Sequence, residues 1–165
     1  MTSELREAQG SPLDRFEFEP HNCFACGTLN TGGLHLDLHV DGERCWTDLE
    51  IPERFQSWDE IAHGGIVATI LDEVMAWSLV DADNWGLTAR LTVAFKRPVP
   101  LGRPIHVEGW ITESRRRVIT TAGRMVAADS GEVLATAEAL YVAATDDRKR
   151  ELKERYGYRD PEDAR

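Results

Sequence analysis

The 165-residue sequence has no apolar run near the roughly 20 residues that a membrane-spanning helix requires. Its first residues include acidic side chains and lack the apolar segment of a secretory signal peptide, so we expect a cytoplasmic protein without membrane contact. Basic residues are also few, 19 against 29 acidic ones. The resulting formal charge of −10 argues against nucleic-acid binding, which depends on a basic face.

Cysteine is scarce as well. Three cysteines in a chain without an export signal predict reduced thiols rather than a disulfide framework. In the stretch HNCFACG, His21, Cys23 and Cys26 offer three potential zinc ligands. A structural zinc site needs a fourth ligand, and the sequence has no second CxxC motif. We therefore favour a packed turn with two small thiols and no metal, and a zinc site is the alternative.

The length suits one domain with a substantial core, and the sequence has no internal repeat. Polar residues and prolines predict a flexible arm over residues 1–19. We expect the folded domain to span residues 20–145. Residues 146–165 are a charged tail, with a short surface helix predicted near DRKRELKERY.

Periodicity predicts a strand pair, one helix and then four strands. LHLDLHV alternates apolar and polar residues, the Asp41-Gly42 pair supplies a turn, and RCWTDLEI alternates again, which is typical of a hairpin. The four later strand candidates are LTARLTVAF, IHVEGWITE, RRVITTAGRMVAA and EVLATAEALYVAA. An antiparallel sheet of this kind can wrap around one apolar helix and leave its other face in water.

The predicted helix runs from about His63 to about Val80 and begins HGGIVATILDEVMAW. Its apolar residues spread around most of the circumference, so we expect burial on nearly all sides. The glycines at its start leave backbone N–H groups uncovered by side chains. Two adjacent acids, Asp72 and Glu73, interrupt the apolar sequence and need an explanation.

The element order and the stretch HGGIVATILDE resemble the hotdog-fold acyl-CoA thioesterases, specifically the PaaI-like branch. Supporting stretches are CFACG, GGLHLDL, FQSWDEIAHGG, TARLTVAFKRPVPLG and GEVLATAEALYV. The resemblance implies an α+β fold in which about six antiparallel strands wrap around one long central α-helix. It also implies homodimers joined sheet edge to sheet edge, with tetramers left open. The implied reaction is hydrolysis of a thioester of coenzyme A or of a carrier protein, with no cofactor.

By the same resemblance, Asp72 is the catalytic base or nucleophile, and the Gly64 amide stabilises the oxyanion. The neighbouring histidine of the family falls on His63, and the hydroxyl residue of the following strand falls on Thr88. Several relatives have an asparagine or glutamine before the histidine. Here Gln56 or Ser57 would take that role.

Gly64 and Asp72 of the same chain lie too far apart to act on one carbonyl group. Eight residues of helix separate Gly64 from Asp72, which is about 12 Å at about 1.5 Å of rise per residue. The resemblance implies a shared site in which Asp72 of one protomer faces Gly64 of the other across a two-fold axis, and the distance requires an arrangement of that kind. At such a seam, partial desolvation would strengthen the carboxylate as a base.

Further substrate contacts are expected from Gly65, beside the oxyanion amide, and from Glu73, which is also the reserve catalytic acid. Trp58 lines the acyl pocket or belongs to the core, and the sequence does not separate these two interpretations. Arg115 and Arg117 share one face of a strand, where they bind nucleotide phosphates or simply guard a sheet edge.

Two other functions are weighed against hydrolysis. A non-catalytic acyl-CoA or lipid-binding protein would use the same pocket, although the retained Asp72 argues against it. A hotdog enoyl-CoA hydratase pairs a histidine with an acid, and Asp59 and His63 lack the spacing of that pair.

Overall fold

The computed structural model describes residues 18–158. Most of the predicted N-terminal arm, and the end of the charged tail, lie outside the described residues.

An antiparallel sheet of six strands packs on one main helix within the described residues. The strands are β1 (His39–Asp41), β2 (Arg44–Glu50), β3 (Gly86–Phe95), β4 (Pro104–Arg115), β5 (Val118–Ala127) and β6 (Val133–Ala143), and the helices are α1 (Gly64–Trp77) and α2 (Asp146–Arg155), with a 3₁₀ turn at Glu53–Phe55. The spatial order of the strands is β1-β2-β4-β5-β6-β3, and every neighbouring pair is antiparallel. This confirms the predicted hotdog architecture, the hairpin and the tail helix.

The first predicted strand is wrong over most of its length. Residues 34–38 keep the alternating burial that the pattern predicted, but ladder pairing begins only at His39. Leu36 donates its amide to the Ala25 carbonyl instead, and the Asp37 carbonyl accepts a hydrogen bond from the Thr47 hydroxyl. These bonds to a loop and a side chain replace the sheet ladder.

The central helix is shorter than predicted, with 14 residues ending at Trp77 rather than about Val80. The Leu79 and Val80 amides donate to the carbonyls of Ala76 and Trp77, three residues earlier, so the chain tightens into turns there. Only Gly65 of the helix is exposed, which agrees with the predicted burial on nearly all sides. Neither helix of the described residues is long and apolar enough to cross a bilayer.

Two paired glycines let α1 lie close against the sheet. Gly109 of β4 and Gly123 of β5 face each other across the ladder, and a Cβ at either would come within 2.9 to 3.1 Å of Met75. Met75 is fully buried at this contact. The inward positions of β6 are small except at its end, where Tyr141 is fully buried.

Strand β3 forms one edge of the sheet and pairs only with β6 in the described chain. It is ten residues long and largely exposed, with Leu87 77% and Phe95 55% accessible. A long exposed edge with apolar side chains is a template for pairing with another chain.

Candidate active site

His63 accepts hydrogen bonds from amides in the first turn of α1. The His63 Nδ1 atom accepts a hydrogen bond from the Gly65 amide at 2.9 Å, and the His63 carbonyl accepts from Ile66 and Val67. No residue in the described range accepts a hydrogen bond from the Gly64 amide. The exposed imidazole therefore caps the helix and positions its opening turn, while the Gly64 N–H remains available.

Asp72 faces the edge strand β3. The Thr88 hydroxyl donates to Asp72 Oδ1 at 2.9 Å and lies 3.2 Å from Oδ2. The Tyr141 hydroxyl reaches Oδ1 at 2.8 Å and the Asp72 backbone carbonyl at 3.0 Å. The structure thus brings together Asp72 and Thr88, which the resemblance separately assigned to the site, and adds a third residue.

The register of the sheet explains this convergence. Thr88 of β3 lies directly opposite Tyr141 of β6, and the β3–β6 register shifts immediately afterwards, between Thr88 and Arg90. A bulge re-aims the side chains beside it. The two hydroxyls consequently meet on one side of the sheet, against the helix residue above them.

The two carboxylate oxygens of Asp72 have different environments. Oδ1 accepts the shorter hydrogen bonds from both Thr88 and Tyr141, whereas Oδ2 has only the longer contact with Thr88. Burial raises the pKa of Tyr141, and the charge of Asp72 raises it further, so the phenol stays a donor. Oδ2 is thus the oxygen with free lone pairs for a proton or an electrophile.

Tyr141 is a site residue that sequence reasoning missed. The available signal was the inward row of β6, where Ala135, Ala137, Ala139 and Ala143 are small and Tyr141 alone is large. A tyrosine at an otherwise alanine face needs a partner for its hydroxyl. Asp72 is that partner.

Glu73 points away from this arrangement. Its Oε1 accepts a hydrogen bond from the Trp77 indole at 3.0 Å and lies 3.8 Å from Cys23 Sγ. Burial raises the pKa of Glu73 to about 7, the Cys26 thiol opposes that rise by donating a hydrogen bond, and the Cys23 sulfur adds to it. The Glu73 carboxylate is engaged beside a thiol pair, and its substrate contact stays a prediction.

That thiol pair lies in the HNCFACG turn, where both cysteines are half-buried. A hydrogen bond from the Cys26 thiol lowers the pKa of Cys23 to about 5; burial opposes this, and the Cys26 and Ala25 amides assist. The same pairing raises the pKa of Cys26. The third cysteine, Cys45, is fully buried in β2.

Within one chain, Gly64 and Asp72 are not brought together, because they occupy the first and ninth positions of α1. The Phe95 ring, at the far end of β3 from Thr88, lies about 3.5 Å from where a Gly64 Cβ would stand. One protomer therefore places the carboxylate at one end of its edge strand and the available amide at the other.

The polar side chains of the loop before α1 form hydrogen bonds within that loop. Gln56 Oε1 accepts from the Glu60 amide at 3.2 Å, and the Ser57 hydroxyl donates to the Ile61 carbonyl at 3.4 Å. Trp58 is 82% accessible, so the interpretation of Trp58 as a core residue is wrong. All three predicted contacts lie on an exposed loop near the helix start.

The two predicted phosphate-binding arginines flank the tip of the β4–β5 hairpin. Arg115 is exposed and pairs with Glu113 at 2.8 Å, whereas Arg117 donates from Nε and Nη2 to the Ala143 carbonyl. Val118, the next residue, lies opposite Val142, which neighbours Leu87 on the other side. Both arginines are thus at the Thr88 end of the sheet.

The chain is similar to known thioesterases in sequence. Residues 60–134 match the family model described as the thioesterase superfamily. Over 80 residues the chain is 29% identical to acyl-coenzyme A thioesterase THEM4 of Xenopus laevis, a match covering 48% of this chain and 36% of that protein. The chain therefore spans about a third of the length of that curated relative.

Two solved structures illustrate the match in fold. A thioesterase superfamily protein is 29% identical with a TM-score of 0.63, covering 68% of this chain and 56% of that one. The phenylacetic acid degradation protein PaaI of Thermus thermophilus is 16% identical with a TM-score of 0.61, covering 66% of this chain and 93% of that one. The resemblance to hotdog thioesterases is confirmed.

Proposed function

Because the chain has the hotdog fold and matches the thioesterase superfamily over residues 60–134, we propose that it hydrolyses an acyl thioester to a free acid and a thiol. The observation that carries this proposal is the Asp72 carboxylate, held at Oδ1 by the hydroxyls of Thr88 and Tyr141. A fixed carboxylate with one free oxygen is the group that a hydrolase needs beside its substrate carbonyl.

In the proposed reaction, Asp72 Oδ2 either removes a proton from the attacking water or attacks the thioester carbonyl itself. Hydrogen bonds from Thr88 and Tyr141 hold the carboxylate in one orientation in both routes. The carbonyl oxygen gains negative charge, and the thiolate of the carrier leaves. The second route forms an anhydride that water must then hydrolyse.

The oxyanion donor in this proposal is the Gly64 amide of a second protomer. The Gly64 N–H has no acceptor within the described residues, and it opens a helix whose N-terminal dipole favours negative charge. His63 supports it by fixing the adjacent Gly65 amide. Within one protomer these groups lie too far from Asp72 to share a carbonyl.

A homodimer joined through β3 supplies the second protomer in this scheme. Edge-to-edge antiparallel pairing of two β3 strands would set the Thr88 end of one against the Phe95 end of the other, where Gly64 lies. This arrangement would pair the free backbone N–H and C=O groups of the exposed edge strand. The second protomer would also cover the exposed side chains of Leu87 and Phe95. Whether two dimers associate further is left to measurement of mass in solution.

Coenzyme A thioesters are the proposed substrates, in keeping with the acyl-coenzyme A thioesterase among the relatives. A carrier protein with a pantetheine arm presents the same thioester. Arg115 and Arg117, at the Thr88 end of the sheet, are the proposed contacts for the nucleotide phosphates of coenzyme A. The exposed loop with Gln56, Ser57 and Trp58 is proposed to contact the acyl group or the pantetheine.

A thiol-release assay tests the proposal. Purified protein is incubated with short, medium and aromatic acyl-CoA substrates, and free thiol is followed with a colorimetric reagent. Release above the buffer rate supports hydrolysis, and its preference among the panel defines the acyl class. Tight acyl-CoA binding without any release would favour a binding protein instead.

A further inference from the structure

The turn formed by residues 21–27, which we call the cysteine turn, is built to bring two sulfur atoms to one side. The Gly27 amide donates to the Cys23 carbonyl at 2.9 Å, closing a tight turn. A Cβ at Gly27 would come within 2.4 Å of the Cys23 nitrogen and the His21 carbonyl, so only glycine fits. The Cys23 amide is in turn held by His21 Nδ1 at 3.3 Å.

Both sulfur atoms of the CxxC pair lie close to α1, where Cys23 Sγ approaches the Glu73 carboxylate. Metal binding would release the thiol protons, because the thiolate is the form of cysteine that binds metal ions. The two residues of the CxxC pair are half-buried, so they remain reachable from solvent.

Glu73 of α1 completes a three-atom cluster with this turn. Its Oε1 is 3.8 Å from Cys23 Sγ, and the ligand atoms of Cys23, Cys26 and Glu73 all lie within 4.8 Å of one another. Tetrahedral zinc with ordinary bond lengths separates a sulfur and an oxygen ligand by about 3.5 Å. The Cys23–Glu73 distance is therefore close to that of a zinc site, and small movements of the side chains would bring the third ligand into range.

We propose that Cys23, Cys26 and Glu73 form a binding site for a divalent ion of the zinc class, with the fourth position taken by water. Two thiolates and a carboxylate suit this class, whereas magnesium and calcium prefer oxygen ligands alone. A cleft of about 280 Å³ lined by Cys26, His21 and Trp77 opens beside the proposed site. His21 Nδ1 is occupied by the Cys23 amide, so His21 acts as a support rather than a ligand through that atom.

The ion would join the cysteine turn to α1 at the residue next to Asp72. It binds none of the groups around Asp72, whose contacts are Thr88 and Tyr141. The ion is therefore expected to affect the stability of the fold rather than thioester hydrolysis. The proposal of a metal site does not depend on the proposal that the protein is a thioesterase.

Cobalt substitution of the full-length chain, freed of metal by a chelator under reducing conditions, tests the site. Titration with Co²⁺ should produce the intense sulfur-to-cobalt charge-transfer band of a thiolate complex, and Zn²⁺ should displace it and raise the Tm. Cys23→Ser and Cys26→Ser should each abolish the band. Glu73→Gln, which preserves side-chain shape, should retain it and weaken cobalt affinity about tenfold or more.

Cys45→Ala is the matched control, because it removes the remaining thiol of the chain, which is not one of the three proposed ligands, and its band should equal that of the unmodified protein. Absence of a thiolate band in folded, reduced protein would overturn the proposal. Persistence of the band in both turn variants, or an unchanged cobalt affinity in Glu73→Gln, would overturn it equally.

Discussion

Asp72 and Glu73 are adjacent on one helix, yet their carboxylates lie in opposite kinds of surroundings. Asp72 meets hydroxyl groups at the exposed edge of the sheet, from Thr88 and Tyr141. Glu73 meets an indole and two thiols beside the N-terminal cysteine turn. A rotation of about 100° per residue is enough to send neighbouring side chains into different regions of the fold.

The contrast shows that one buried helix carries two acids in different environments. The Asp72 side holds its acid by neutral donors and leaves one oxygen free at an edge where a second chain can pair. The Glu73 side is enclosed by its own chain, and burial raises the pKa of Glu73 to about 7. Proximity in sequence therefore gives no reason to assign both acids to one reaction.

The largest loss of kcat is expected from substitution of Asp72, and substitution of Glu73 provides the comparison. Asp72→Asn removes the proposed base or nucleophile while keeping side-chain size, so kcat should fall by about 100-fold or more. Glu73→Gln should change kcat by no more than a few-fold. Both are measured by thiol release, with Asp129→Asn, a change at an exposed ion pair with Arg103, as the control. A greater loss in Glu73→Gln than in Asp72→Asn would reverse the assignment.

A smaller effect is expected from the groups that hold Asp72. Tyr141→Phe keeps the buried ring and removes the hydroxyl, which should cost about tenfold in kcat, the equivalent of about 1.4 kcal/mol. Thr88→Val should cost several-fold for the same reason.

Neither change should lower the residual rate further in an Asp72→Asn background, because the group that these hydroxyls orient is already gone. Additive losses in the double variants would show that Tyr141 and Thr88 act on something other than Asp72.

Assembly should depend on the edge strand near Asp72 and not on the cysteine turn. Leu87 is 77% accessible in one chain, so Leu87→Glu should leave the protomer folded. At a β3–β3 junction the same change buries a charge, so the dimer should dissociate and activity should fall with it. Sedimentation velocity and circular dichroism measure the two properties. A stable, fully active dimer would exclude this edge as the interface.

The smallest expected effect is on the pH dependence of Tm and involves Glu108. Unlike Asp72 and Glu73, Glu108 is paired with two arginines. Burial acts to raise its pKa, but hydrogen bonds from Arg124 and Arg44 outweigh it and hold the pKa of Glu108 below its ordinary value. A lowered folded pKa adds stability above the unfolded value near 4.5, and that stability is lost as the pH falls below it.

Wild-type Tm should therefore drop more steeply than that of Glu108→Gln between about pH 5 and pH 3. Parallel pH curves for the two proteins would show that the arginine contacts contribute nothing measurable.

Local pattern was sufficient to predict most of the fold. Alternation located five strands and the hairpin, and the apolar stretch after the glycine pair located α1. It failed at residues 34–38, where burial alternates but the hydrogen bonds go to a loop carbonyl and a threonine. Sequence periodicity reports which side chains are buried and does not report which backbone groups are paired.

The site was only partly predictable for a similar reason. Asp72, Gly64 and His63 lie on one continuous segment, and Thr88 follows on the next strand, so a family resemblance could assign them. Tyr141 lies 69 residues from Asp72, and only the sheet register brings it there. Glu73 and Cys23 are likewise 50 residues apart, which hid their contact from any local motif.

We propose that each active site combines Asp72 of one protomer with the Gly64 amide of its partner. Gly64→Pro removes that amide with little strain, because proline is favoured at the first helical position and His63 already has the extended conformation that precedes proline. Gly64→Ala is the matched control that keeps the N–H. Removing an oxyanion donor should cost about 100-fold in kcat.

Complementation between two inactive variants distinguishes a shared site from a site within one chain. Asp72→Asn and Gly64→Pro chains are refolded together in equal amounts, so that about half of the dimers are hybrids with one intact site each. The shared-site account predicts recovery of about a quarter of wild-type activity from the mixture. No recovery, with hybrid dimers demonstrated by native mass spectrometry, would contradict it and place both groups of each site in a single chain.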